Sequence, residues 1–105
     1  ARSGAGAGVV ANVAAACARI GRDVLVIDAT PGEVARALGV AARRELAHAL
    51  AGERTVADLV AEPGERLAVL PAARGLARAL EAGMRVADIA ATARPGADLV
   101  IVHAP

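Results

Sequence analysis

The sequence predicts an α/β fold in which helices cover both faces of a mostly parallel sheet. Two runs of consecutive aliphatic residues, DVLVID at 23–28 and DLVIVHA at 98–104, have the continuous apolar pattern of strands buried on both faces. A weaker third run, RLAVLPA at 66–72, has the same character. Helical stretches separate the three runs, and this alternation is typical of parallel strands joined by crossover helices.

Caps and stop signals predict the helices in chain order. The first helix is expected at 9–21, where an alanine-rich run closes on a glycine. Pro31 is expected to be the first residue of the second helix, which ends at Gly39. Three further helical stretches are expected at 42–53, at 55–62 with Thr55 as N-cap, and at 74–96 with a break near Gly83.

Composition excludes several classes of protein. Hydrophobic residues make up 56% of the 105 residues and none is aromatic, so the chain is not disordered and its core must be aliphatic. The net charge is +1 and the charges are scattered, which indicates neither a nucleic-acid tract nor a membrane-binding patch. The one cysteine, Cys17, is expected as a small buried thiol.

The sequence contains neither a membrane-spanning segment nor a visible signal peptide. No apolar run reaches the length of about 18 residues that a transmembrane helix needs. We therefore expect a cytoplasmic location.

The opening stretch, RSGAGAGVV, has glycine at Gly4, Gly6 and Gly8 ahead of the first helix. Glycine lets backbone N–H groups point at an anion, and the following helix adds the partial positive charge of its N-terminus. The pattern G-x-x-x-x-G-K-[ST] also needs a lysine and a hydroxyl residue, and neither is present. Taken alone, the stretch is equally compatible with a phosphate cradle and with a structural loop.

Three longer stretches resemble the ParA/MinD family of P-loop ATPases. ANVAAACARIGRDVLVIDATPGEVARAL at 11–38 is similar to the family's first helix, its G-K-x-V-L-L-I-D-x-D strand and its P-x-G segment. LGVAARRELAHALAGERTVADLVAEPGERLAVLPAARGLA at 38–77 resembles the members that regulate flagellar number and placement, and GADLVIVHAP at 96–105 resembles a later strand. The resemblance implies a P-loop NTPase-like three-layer α/β/α fold. It also implies that residues 1–105 are one partial domain, without the family's first strand and C-terminal half.

The resemblance implies a nucleotide site for ATP or ADP with Mg²⁺. The residues that it places at this site are Arg2, Gly4, Ala5, Gly6, Ala7, Gly8, Val9 and Asp28. Asp28 ends the first strand, where the family has an aspartate that orients Mg²⁺ or water. A carboxylate that caps the next helix is the alternative role for this residue.

The charged groups of the family are largely replaced. Its lysines correspond to Arg2 and to Gly6 or Ala7, its Mg²⁺-binding threonine to Gly8, and two of its aspartates to Thr30 and His103. Phosphoryl transfer depends on positioned charge, and loss of one electrostatic stabiliser costs about 10²–10³ in rate. The implied activity is weak or no ATP hydrolysis, and no catalytic residue is assigned.

The implied function is control of the number or placement of a polar organelle, the flagellum, through partner binding. Alternatives are an active ATPase, an atypical ATPase of the pilus-localisation type, and a scaffold without nucleotide. The expected partner is a second copy or a protein of the organelle, with no nucleic acid. Membrane contact, peripheral to the inner membrane, is expected only through regions outside these residues.

A few other polar residues carry weaker expectations. Arg74 follows the third strand and is either a functional residue or a loop arginine. The Arg43-Arg44 pair is expected on an exposed helix face, with partner contact as the alternative, and His48 is expected to be partly exposed. The half-domain is expected to be marginally stable or dimeric in isolation.

Overall fold

A four-stranded mixed sheet forms the centre of the molecule, and the computed structural model describes residues 3–105, with the side chains of 6–105. Its strands are β1 (Val24–Asp28), β2 (Ala61–Gly64), β3 (Leu67–Pro71) and β4 (Leu99–His103), in the spatial order β2-β3-β1-β4. β1 is parallel to both β3 and β4, whereas β2 is antiparallel to β3. The predicted α/β fold with a mostly parallel sheet is confirmed.

Helices lie on both faces of this sheet. They are α1 (Ser3–Arg19), α2 (Glu33–Ala37), α3 (Leu46–Leu50), α4 (Val56–Leu59), α5 (Gly75–Glu81) and α6 (Val86–Ala93). α1 and α2 bury their apolar side chains on one face of the sheet, and α3 to α6 do so on the other. Because every residue of β1 is buried, this strand is the centre of both cores.

Alanine takes the place that larger side chains have in most helix–sheet packing. The side of α1 that faces the sheet is a row of buried alanines at helical spacing, Ala7, Ala11, Ala14 and Ala18. Above them on the sheet lie Val24 and Val26, which are fully buried. Cys17 packs beside this core and is half-buried, so the expectation of a buried thiol is met only in part.

The prediction of a loop at the opening stretch is wrong, because the chain is helical from Ser3 onward. Glycine lowers helix propensity by only about 0.5–1 kcal/mol relative to alanine. Burial of Ala7 and of the alanines that follow it on the same face stabilises the helix by packing, and this tertiary term outweighs the glycine penalty. Pro31 was also wrongly expected as a first helical residue, since Gly32, with φ of 77°, is the N-cap of α2.

The middle of the chain departs from expectation in two places. β2 was not predicted, because its sequence AEPG contains two residues that disfavour strands. The helix expected at 42–53 is shorter, so Arg43 and Arg44 lie in the connection between α2 and α3 and not on a helix face. The predicted break at Gly83 is confirmed by its φ of 88° and by the separation of α5 from α6.

β4 is an edge strand among the strands described, with β1 as its neighbour. Val100 and Val102 on this strand are 37% and 43% exposed. In the described part of the chain, no helix is both long and apolar enough to cross a bilayer.

Candidate functional site

Asp28 lies at the carboxyl end of β1, where parallel α/β sheets bind their ligands, and it is fully buried. Its Oδ1 accepts hydrogen bonds from the backbone N–H of Thr30 at 3.0 Å and from the Thr30 hydroxyl at 2.5 Å. Its Oδ2 accepts a hydrogen bond from the backbone N–H of Val34 at 3.0 Å. Both carboxylate oxygens therefore hold the turn that leads into α2, which is the capping role.

Thr30 completes this turn from the other side. Its hydroxyl donates to Asp28 and also accepts from the backbone N–H of Glu33 at 3.2 Å. The side chain is 1% exposed, so the hydroxyl has no solvent to replace either partner. Thr30, which the family resemblance aligns with a catalytic aspartate, is thus a structural residue in this conformation.

His103 ends β4 and lies beside Asp28 in the sheet register. Its Nε2 lies 4.0 Å from Oε1 of Glu33, which is longer than a hydrogen bond. Both atoms are buried and have no hydrogen-bond partner within the described residues. The two side chains form a polar pair that is enclosed but not directly bonded.

The start of α1 lies close to His103. A Cβ added to Gly6 would lie 3.3 Å from Cε1 of His103, so the helix backbone passes close to the imidazole. Ala7 is buried, whereas Val9 is 63% exposed and points away from the sheet. The carboxyl edge of β1 and β4 therefore joins Gly6, His103 and Asp28 in one place.

The residues of the expected nucleotide site divide into three groups. Arg2 lies outside the described residues. Gly4, Ala5, Gly6, Ala7, Gly8 and Val9 all lie in α1, and Asp28 is buried beneath the turn it caps. Their role in binding nucleotide stays a prediction.

These residues do not fit the Mg²⁺–nucleotide arrangement that the family resemblance implies. Helical N–H groups beyond the first turn are bonded to the helix itself, so those of Ala7, Gly8 and Val9 are not free to hold a phosphate. The Asp28 oxygens are already engaged. Within residues whose side chains are described, no group of three or more His, Cys, Asp or Glu is placed to hold a metal ion.

A second polar centre lies at the carboxyl end of β3, and the sequence did not indicate it. The Glu45 carboxylate accepts hydrogen bonds from the backbone N–H of Ala47, Arg74 and Gly75 at 3.0, 2.9 and 2.8 Å. Burial raises the pKa of Glu45, but these hydrogen bonds and the Arg74 guanidinium outweigh burial, so the pKa lies below its usual value.

Arg74 takes part in this centre chiefly through its backbone. Its N–H binds Glu45, while its side chain is 72% exposed and lies 3.6 Å from the same carboxylate. His48, half-buried as expected, accepts a hydrogen bond at Nδ1 from the backbone N–H of Glu45 and completes a capping box. The only sequence signal for this arrangement is the spacing of Glu45 and His48 by three residues.

Comparison with models of known protein families, and with curated proteins, gives no match to this chain. The family resemblance therefore rests on the residues quoted above and remains a hypothesis.

Proposed function

We propose that this protein is a degenerate ParA/MinD-like domain that acts by binding a partner and does not hydrolyse ATP efficiently. The organelle that it serves is a flagellum, and the partner is a second copy of the chain or a protein of that organelle. Support comes from the family-like stretches at 11–38, 38–77 and 96–105 and from the strand order β3-β1-β4.

The observation that carries the proposal is the hydrogen bonding and burial of the Asp28 carboxylate. Both oxygens accept hydrogen bonds from the turn at 30–34, and the side chain is fully buried. Phosphoryl transfer needs charge that is aimed at Mg²⁺ and the γ-phosphate. Here the strand-end carboxylate stabilises the turn, and its neighbours Thr30 and His103 add no second carboxylate.

Calorimetric titration with ATP and Mg²⁺ tests nucleotide binding. The proposal accommodates binding without turnover, and in that case Arg2→Ala should weaken the affinity while Arg22→Ala should not. The two variants lose the same charge, and Arg22 is an exposed residue that follows α1. Absence of binding heat would favour the nucleotide-independent scaffold, and phosphate release at the rate of an efficient ATPase would overturn the proposal.

The organelle assignment needs a test in the cell. Deletion of the gene should change the number or position of flagella, counted by electron microscopy. Unchanged flagella together with displaced pili would favour the pilus-localisation alternative.

A further inference from the structure

A cavity of about 540 Å³ lies near the carboxyl end of β3, on the side of β2. Its residues come from the connection between α2 and α3, the turn before α4, and the chain from α4 into β2. Those that the argument uses are Arg43, Arg44, Arg54, Asp58, Leu59 and Pro71. Pro71 pairs with Asp28 in the sheet, so the cavity lies one strand away from Asp28, but neither Asp28 nor His103 lines it.

The cavity concentrates positive charge in a chain whose net charge is only +1. Arg43, Arg44 and Arg54 line it together with one acidic residue, Asp58. Within residues 6–105, none of these three arginines forms an ion pair with an acidic side chain. The three guanidinium groups are therefore available to an anion from solution.

The segments that carry the arginines are anchored at their ends. Arg44 precedes Glu45, whose buried carboxylate is tied to the start of α5. Arg54 precedes Thr55, whose hydroxyl caps α4 by accepting from the N–H of Asp58 at 3.2 Å. Anchored segments reduce the entropy lost when side chains close on a ligand.

We propose that this cavity binds a small molecule that carries two or more phosphate groups. The planar guanidinium group donates two parallel hydrogen bonds to phosphate oxygens, and three such groups match more than one phosphate. The volume lies within the range of about 300–1,000 Å³ that is typical of small-molecule sites. The lining is mainly polar, and Leu59 and Pro71, both buried, form a small apolar part of it.

Removal of the Asp58 charge offers a second test of the proposal. The Asp58 carboxylate shares the cavity with the arginines and repels a bound anion. Asp58→Asn keeps the backbone N–H that donates a hydrogen bond to the Thr55 hydroxyl, and so leaves the cap of α4 in place. If the ligand is a phosphate compound, this variant should bind it about twofold to fivefold more tightly, as expected for one exposed charge pair.

The test is calorimetric titration of the purified protein with inorganic pyrophosphate at low ionic strength. Binding should weaken by about tenfold or more in Arg43→Ala/Arg44→Ala and also in Arg54→Ala. The matched control is Arg22→Ala/Arg78→Ala, which removes the same charge as the double variant at exposed positions outside the cavity. Added KCl should weaken binding to the unmodified protein.

Amide chemical shifts locate the bound pyrophosphate. Changes in the amide chemical shifts of residues 41–44, 54 and 58–61 on addition of pyrophosphate would support the proposal. Shifts confined to residues 4–10, with binding retained in Arg43→Ala/Arg44→Ala, would overturn it and would leave the proposed function standing. Absence of pyrophosphate binding, equal loss in the control variant, or binding of a deca-glutamate peptide in place of pyrophosphate would also overturn it.

Discussion

The carboxylate of Glu45 accepts a hydrogen bond from the backbone N–H of Gly75 at 2.8 Å, which joins the start of α3 to the start of α5. The same carboxylate binds the N–H of Ala47 and of Arg74. It satisfies N–H groups that have no partner inside their own helices. One side chain thus fixes two helices of the same layer at the carboxyl end of β3.

Stability should depend on pH through Glu45. Because its pKa is lower in the folded than in the unfolded state, the contribution is fully present above the unfolded value near 4.5. It is lost as pH falls through the folded value. Urea unfolding should show that Glu45→Gln lowers the free energy of unfolding by about 1–3 kcal/mol at pH 7 and by less at pH 3. Glu53→Gln, at an exposed position, is the control and should show neither effect.

Gly75→Ala should destabilise the protein severely. An added Cβ would lie 2.5 Å from Cβ of Leu46 and would also clash with the backbone nitrogen of Ala47. Relief requires moving α3 away from α5, so we expect a loss of about 3 kcal/mol or more in thermal or urea unfolding. Gly64→Ala meets nothing within 4 Å and should change stability little. Equal effects of the two substitutions would contradict this packing.

Two substitutions test whether the opening stretch is helical. A Cβ on Gly8 meets nothing within 4 Å, so Gly8→Ala should stabilise a helix by about 0.5–1 kcal/mol. Gly6→Ala should give a smaller gain or a loss, because its methyl group must displace the His103 ring. Helicity and melting temperature by circular dichroism measure both. Destabilisation by Gly8→Ala would indicate a loop and would contradict α1 at this position.

Thr30→Val should destabilise the turn before α2. The valine removes the hydroxyl that donates a hydrogen bond to Asp28. It also leaves the N–H of Glu33 without its acceptor. We expect a loss of about 1–3 kcal/mol in urea unfolding. Thr30→Ser retains the hydroxyl and should keep most of the stability. If valine and serine behave alike, the hydroxyl does not hold the turn.

The sequence predicted the parallel strands because their apolar runs are continuous and need burial on both faces. β1, β3 and β4 all lie within the predicted stretches. β2 was not predicted because Pro63 and Gly64 disfavour strands, and it forms by antiparallel pairing with β3, which follows it after two residues.

Site residues were harder to predict because side-chain partners are set by the tertiary fold. Asp28 was placed correctly at a strand end, but only the turn geometry shows that both its oxygens are engaged. The glycines at the opening indicated a loop, and packing of Ala7 against the sheet gives a helix. Glu45 carried no expectation, since its partners Arg74 and Gly75 lie about 30 residues away in sequence.

The most direct test of the proposed loss of catalysis is phosphate release from ATP by the purified protein in the presence of Mg²⁺. With Asp28 committed to the turn before α2, the rate should equal the background without protein. A rate above background that Asp28→Asn abolishes, while the variant remains folded by circular dichroism, would contradict the account.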